Sequence, residues 1–269
     1  MPIHPTALID PRAEVDPRAD IGPYVVIDGP VRVGPGTRVL AHATLTGWTE
    51  IGADNVIHMG AVVGHDPQDL AYSGSESYVR MGDRNVVREH AQIHRGTKPG
   101  SATTIGSDNY FMNNAHVAHN CRVGNRVTLA NGAVLGGYVE VEDQVFISAN
   151  CAVHQFVRVG RLAFMRGLSR VSRDVPPFCV VDDTHTVRAL NRVGLRRAGF
   201  STTQIRELQN AFSRLFRRPR NLGKAMAEVE NGPCSPEVCY LLDFIRASRR
   251  GVCVAPRSIV TRNPETDDE

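Results

Sequence analysis

The chain has 269 residues, of which 42% are hydrophobic, 22% charged and 6% aromatic, with a single Trp. That is the composition of a globular protein, and it lacks any run of about 20 apolar residues such as a membrane span needs. The formal net charge of +3 gives no bias toward nucleic acid, and none is expected as a partner.

A six-residue period begins at once. Every sixth position from Ile3 to Val171 gives 29 residues, and 26 of them are Val, Ile, Leu, Met or Phe. Gly follows the apolar residue at 22, 34, 52, 64, 82, 106, 124, 136 and 160. A hexapeptide repeat of this kind folds as a parallel β-helix with three hexads per coil. The pattern predicts one inward residue per hexad and glycine at corners that need positive φ. A narrow interior of this type suits Val, Ile and Leu better than aromatic rings.

The period fails at Asp69, Ser75 and Pro99, so residues 65–80 and 96–104 are expected to loop out of the prism. Asp174, Val175, Pro176 and Pro177 are expected to end it, because Pro supplies no ladder donor. The β-helix domain is therefore placed at 1–186, a helical domain at 187–254 and a loose tail at 255–269. The helices are predicted at 188–198, after the Ser201/Gln204 capping-box signature, over Leu222–Glu230, and from Ser235 with Pro236 at the first position. Between 187 and 250, 13 Lys+Arg face 5 Asp+Glu, a net +8 that suits an acidic partner. The N-terminus has no basic and apolar leader, and the six cysteines form no C-x-x-C pair. A cytoplasmic protein with reduced, mostly structural thiols is expected.

Stacking turns the repeat into contacts, because residue n lies beneath n+18 on the next rung, about 4.8 Å away. His119 then lies under Gly137, with Gln155 above it, and His154 and Tyr138 join the same patch. A neutral imidazole can act as general base, and an amide beside a glycine can approach an oxyanion. Direct acyl transfer to a hydroxyl fits this patch, without a covalent step through Cys121. His90, His94, His116, His119 and His154 have no spacing specific for a metal, so none is expected.

Six segments carry a resemblance: Ile93-His94-Arg95-Gly96-Thr97, Gly106-Ser107-Asp108-Asn109, the run from Asn114 to His119, Val153-His154-Gln155-Phe156, the Asp174–Pro177 segment, and Gly194 to Phe200. With Gln68-Asp69-Leu70 in the first insertion, the chain resembles the acyl-ACP:UDP-N-acetylglucosamine O-acyltransferases over nearly its whole length. The resemblance implies a left-handed β-helix, a homotrimer with sites between subunits, and the first step of lipid A synthesis. A 3-hydroxyacyl group would pass from the phosphopantetheine of acyl carrier protein to the glucosamine 3-hydroxyl of the UDP-sugar, with no further cofactor. His119 would be the general base and Gly137 the oxyanion donor. Asp69, His116, Tyr138, His154 and Gln155 would contact the sugar or acyl group, Asn191 and Arg197 the nucleotide. Gly167 would set acyl length.

Three positions depart from the family pattern. Asn120 replaces Asp, Tyr138 replaces His, and Ala71 replaces Lys, while bulky Arg166 flanks Gly167. They leave open two alternatives: acylation of a different UDP-sugar, and a non-catalytic trimeric scaffold that binds acyl-ACP.

Overall fold

The computed structural model describes residues 3–217, 221–232 and 234–255; the tail expected at 255–269 otherwise lies outside the described residues. The chain forms a left-handed parallel β-helix followed by a short helical region. Its strands, mostly two to four residues long, stack into three sheets of nine, eight and ten strands. The three-hexad rung is explicit in the pairs His116↔Val134 and Val134↔Ala152.

Two residues per hexad point inward, not one. From Ile21 onward the apolar series is buried, and so is the residue two places before each apolar member: Val31, Thr49, Val79, Thr103, Cys121, Val139 and Val157 form one such column. Both positions alternate with outward residues, as the period of a strand requires. Cys121 is therefore a core residue, and burial pushes its thiol up to about 12, which leaves it no thiolate for covalent chemistry.

Of the glycines after the apolar series only Gly64 takes a positive φ, 87°. Elsewhere the positive φ falls two residues later, at Gly36, Asp54, Asp108, Asn114, Asn120, Tyr138 and Phe156 among others. Gly34 is needed instead for close approach: a Cβ there would lie 2.6 Å from the Gly52 carbonyl of the next coil. Asn and Asp enter the left-handed region more readily than other residues with a side chain.

Two coils are enlarged. Val62 pairs with Gln92, and Gln92 with His116, so these coils take up five and four hexads of chain where an ordinary coil takes three. The insertions are shorter than expected, spanning 66–77 and 95–101, because Tyr78–Met81 and Ala102–Ile105 pair as strands. Val79 and Thr103 hold these strands to the core through the second inward column. Another edge of the same coils is joined by a buried amide ladder. Asn85 Nδ2 donates to Asn55 Oδ1 at 3.0 Å, and Asn109 Nδ2 donates to Asn85 Oδ1 at 2.9 Å.

The prism also continues past Pro177. Phe164 pairs with Val180, which closes a coil slightly shorter than the ordinary one, and Cys179–Asp182 pairs antiparallel with Thr186–Leu190. The helix expected from 188 therefore begins later, as α1 (Arg192–Arg197), since 188–190 are engaged in that hairpin. Next come α2 (Thr202–Phe212), with the Ser201/Gln204 capping box formed, α3 (Leu222–Glu230) and α4 (Pro236–Arg246). Phe178 and Tyr240 pack edge-on, with the Arg161 guanidinium 4.8 Å from the Tyr240 ring, and so dock α4 on the prism. Cys234 and Cys239 lie ahead of and within α4 with their Cα atoms 5.8 Å apart, and Cys121, Cys151, Cys179 and Cys253 are free and buried. Among the described residues no helix is long and apolar enough to cross a membrane.

Candidate active site

His119 occupies a corner between two short strands, His116–Val117 and Arg122–Val123. The corner turns because Asn120 adopts a φ of 60°. Directly above, Gly137 must lack a side chain: a Cβ would lie 2.4 Å from His119 Cε1. The Gly137 N–H has no acceptor among the described residues, a property it shares with neighbouring corner amides. What sets it apart is the imidazole beneath it.

A directed hydrogen-bond chain fixes the imidazole. The Thr97 backbone N–H donates to a terminal atom of Asn120 at 3.0 Å, so that atom is the amide oxygen. The Thr97 hydroxyl also donates to Asn120 Oδ1, at 2.9 Å, and lies 3.2 Å from the Tyr138 hydroxyl, which must then be the donor of that pair. His119 Nδ1 lies 3.0 Å from the same oxygen and must carry the proton. In the neutral ring Nε2 is left with its lone pair. Asp69 Oδ2 stands 3.6 Å from Nε2, while Asp69 Oδ1 accepts from the Ala71 N–H within its own turn.

The surroundings are aromatic and imidazole-rich. Tyr138 meets His119 edge-on with ring centroids 5.4 Å apart and stacks on Phe156 at 4.9 Å. His116 and His94 are 5.1 Å apart. Burial, reinforced by His94 and His119, brings His116 down to about 4, and burial also lowers His94. Both are thus neutral near pH 7 and can accept or donate hydrogen bonds without charge. Two concavities adjoin the corner. One, of about 1090 Å³, is walled by Asn120, Tyr138, Phe156, Arg122, Arg158 and Arg250; the other, of about 380 Å³, opens beside His116, Gln92 and Gln68.

The structure gathers His119, Gly137, Asp69, His116 and Tyr138, and sets His154 and Gln155 one rung higher. The Gln155 N–H lies close above Gly136, while His154 is exposed beside Arg250. Gly167 lies on a second edge of the prism, where a Cβ would meet only the Ala149 carbonyl at 3.6 Å. Arg166 beside it is held by Asp182 at 2.8 Å. Asn191 lies against the third edge, where it caps α1. Its oxygen accepts from the Gly194 N–H and its amide donates to the Leu162 carbonyl. Arg197 is exposed on α1. Among the described residues no group of three or more His, Cys, Asp or Glu is arranged to hold a metal.

Sequence reasoning noted Asn120 only as a departure and gave no part in the acyl-transfer site to Thr97, His94 or Arg95. All three sit in the Ile93–Thr97 segment, which carried part of the family resemblance but to which no individual role was attached.

The family model described as UDP-N-acetylglucosamine O-acyltransferase, domain 2, matches residues 174–253, and the bacterial transferase hexapeptide model matches 102–137. Curated acyl-[acyl-carrier-protein]--UDP-N-acetylglucosamine O-acyltransferases are 44% identical over 92% of this chain and 90% of the relative in Gloeothece citriformis, and 44% identical over 94% and 99% in Syntrophobacter fumaroxidans. The UDP-N-acetylglucosamine acyltransferase structure from Francisella novicida superposes with a TM-score of 0.90 at 34% identity, covering 95% of each chain. That from Bacteroides fragilis gives 0.89 at 37%, covering 93% of this chain and 99% of that one. With such similarity along almost its full length, the chain belongs to the UDP-N-acetylglucosamine O-acyltransferase family.

Proposed function

We propose that this protein transfers a fatty acyl group from the thioester of acyl carrier protein to the 3-hydroxyl of UDP-N-acetylglucosamine, by direct attack. Family membership carries the reaction class. The observation that carries the mechanism is the Nδ1–H of His119 held on Asn120 Oδ1 at 3.0 Å, which leaves Nε2 as a base. His119 Nε2 takes the hydroxyl proton as the oxygen attacks the thioester carbon. The Gly137 N–H donates to the oxyanion as it forms. Collapse breaks the carbon–sulfur bond, and the imidazolium returns the proton to the departing phosphopantetheine thiolate. No further cofactor enters this scheme.

The same reading includes a 3-hydroxyacyl donor, the first step of lipid A synthesis and a cytoplasmic location. It also includes a homotrimer. His119, Gly167 and Asn191 lie on different edges of one prism, so neighbouring protomers would have to bring those edges together. The +8 charge over 187–250 suits an acidic carrier protein. His154, Gln155 and His116 would contact sugar or acyl group, Asn191 and Arg197 the nucleotide, and Gly167 would leave the acyl groove open.

Mass spectrometry of products from a panel of acyl carriers and UDP-sugars tests the reaction. His119→Ala should lower turnover by about 10²- to 10⁴-fold; turnover like that of the unaltered protein would defeat the mechanism. A second reading, acylation of a different UDP-sugar, is favoured by Tyr138, whose ring stands edge-on to the base where the family commonly has a histidine. Faster turnover of another sugar in the same panel would select it.

A further inference from the structure

Arg95 is buried to 8% exposure, and none of its hydrogen bonds or ion pairs reaches His119. Every polar contact it makes leads to the 66–77 insertion or to the coil on which that insertion rests. Its Nε and Nη2 donate to the Tyr72 hydroxyl at 3.2 and 2.8 Å, and Nη2 also pairs with the Asp66 carboxylate. Nη1 donates to the Gly64 carbonyl at 2.9 Å, and the Arg95 backbone N–H donates to the His65 carbonyl. The Tyr72 hydroxyl, with its oxygen taken up by Arg95, donates its own proton to the Ser75 carbonyl at 3.0 Å. The guanidinium packs over Gly47, where a Cβ would come 2.6 Å from Nη1, and lies 5.6 Å from the ring of Trp48. His94 takes part as well, with Nδ1 2.7 Å from the Asp66 carbonyl.

These contacts bracket Asp69. The insertion is held at its entrance through Asp66 and on its return through Tyr72 and Ser75, and the Tyr72 N–H donates to the Asp69 carbonyl at 3.0 Å. Asp69 is thereby fixed with one carboxylate oxygen in its own turn and the other 3.6 Å from His119 Nε2. We infer that Arg95 is a positioning residue that makes the 66–77 insertion a fixed wall, not a closing lid, and sets the Asp69–His119 distance. This rests on the proposed acyl transfer, in which Asp69 and His119 face the acceptor. The guanidinium itself is buried and donates to three partners at once, one of them the half-exposed Asp66 carboxylate, and Lys cannot reproduce the forked set.

The test is a double-mutant cycle of Arg95→Lys and Asp69→Asn, with hydrogen exchange of the 66–77 peptides and Trp48 fluorescence measured on the same proteins. Misplacing a reacting group by about 1 Å can cost up to about 10²-fold, so Arg95→Lys should lower kcat/KM by about 10- to 100-fold, mainly in kcat. On the Asp69→Asn background it should cost no more than about 2-fold, since the group it positions is already altered. Exchange over 66–77 should quicken while the strand peptides stay protected, and the sole Trp should report a changed environment. Equal losses on both backgrounds, or unchanged exchange over 66–77, would overturn the inference. If Arg95→Lys does not fold, Tyr72→Phe removes the same hydroxyl from a half-buried site and carries the same test. Exchange and fluorescence need no turnover, so they judge the wall even if the proposed reaction fails.

Discussion

Replacing Asn120 with Asp isolates the electrostatics of the base. His119 Nδ1 lies 3.0 Å from the oxygen of residue 120, and the Thr97 N–H and hydroxyl already point at that oxygen. They would hold an Asp carboxylate ionised in the same place. With charge centres about 4 Å apart and an effective dielectric near 20, the carboxylate favours the imidazolium by up to about 4 kcal/mol. At about 1.4 kcal/mol per pH unit, the acid limb of kcat/KM should move to higher pH by about 1–3 units. The sign follows from the mechanism: the base must be neutral, so stabilising its protonated form withholds it until higher pH. Above the new limb the stronger base should turn over at least as fast as the original. The assay is product formation from pH 5 to 9 at subsaturating sugar. An acid limb that does not move would refute both the tautomer assignment and the role of His119 Nε2.

Other outcomes follow from the same contacts. Gly137→Ala puts a Cβ 2.4 Å from the His119 ring; turnover should fall by about 10²-fold with little change in thermal midpoint, because the ring can swing aside but the chemistry cannot follow it. Gly34→Ala drives a Cβ to 2.6 Å from the Gly52 carbonyl and should lower stability by about 3 kcal/mol. Gly74→Ala, with nothing within 4 Å but a positive φ, should cost only about 1 kcal/mol in the same urea titration. His116, lowered from 6.5 to about 4 in the folded protein, binds fewer protons there than when unfolded. Stability should therefore be unaffected by it above pH 6.5 and decline as pH falls from about 6.5 toward 4. His116→Gln should flatten that part of the denaturation-versus-pH curve.

The solenoid was legible because its signal is repeated: a single inward column recurs often enough to survive local noise. The second column was not, since Ala19, Thr49, Asn55, Cys121 and Val139 share a size limit but no polarity, and a search for apolar residues passes over them. Except at Gly64, the glycines after the apolar series serve close approach between neighbouring segments and not the positive φ expected of them. A tight rung and a left-handed corner both select Gly, and only the folded chain separates Gly34, close to Gly52, from Gly36, with its φ of 69°. The strand at 188–190 was missed because its partner, Cys179–Asp182, lies beyond two prolines that read as a stop. At the site, His119 and Gly137 followed from simple stacking, whereas Asp69 needed the insertion to fold back. That fold-back depends on Arg95 and Tyr72, which sit 23 residues apart with nothing periodic between them.

The enlarged coils exceed the ordinary one by two hexads and by one, both whole numbers of repeats. Because of this, the columns inside the prism never register that a loop has been added. The scaffold behaves as a rack with a fixed pitch: an active-site wall can be lengthened, trimmed or exchanged in steps of six while every core contact above and below keeps its partner. Loop changes of that size are thereby uncoupled from the stability of the solenoid. A loop of any other length has to absorb the remainder in its own excursion outside the prism, or pass the mismatch on to every later strand.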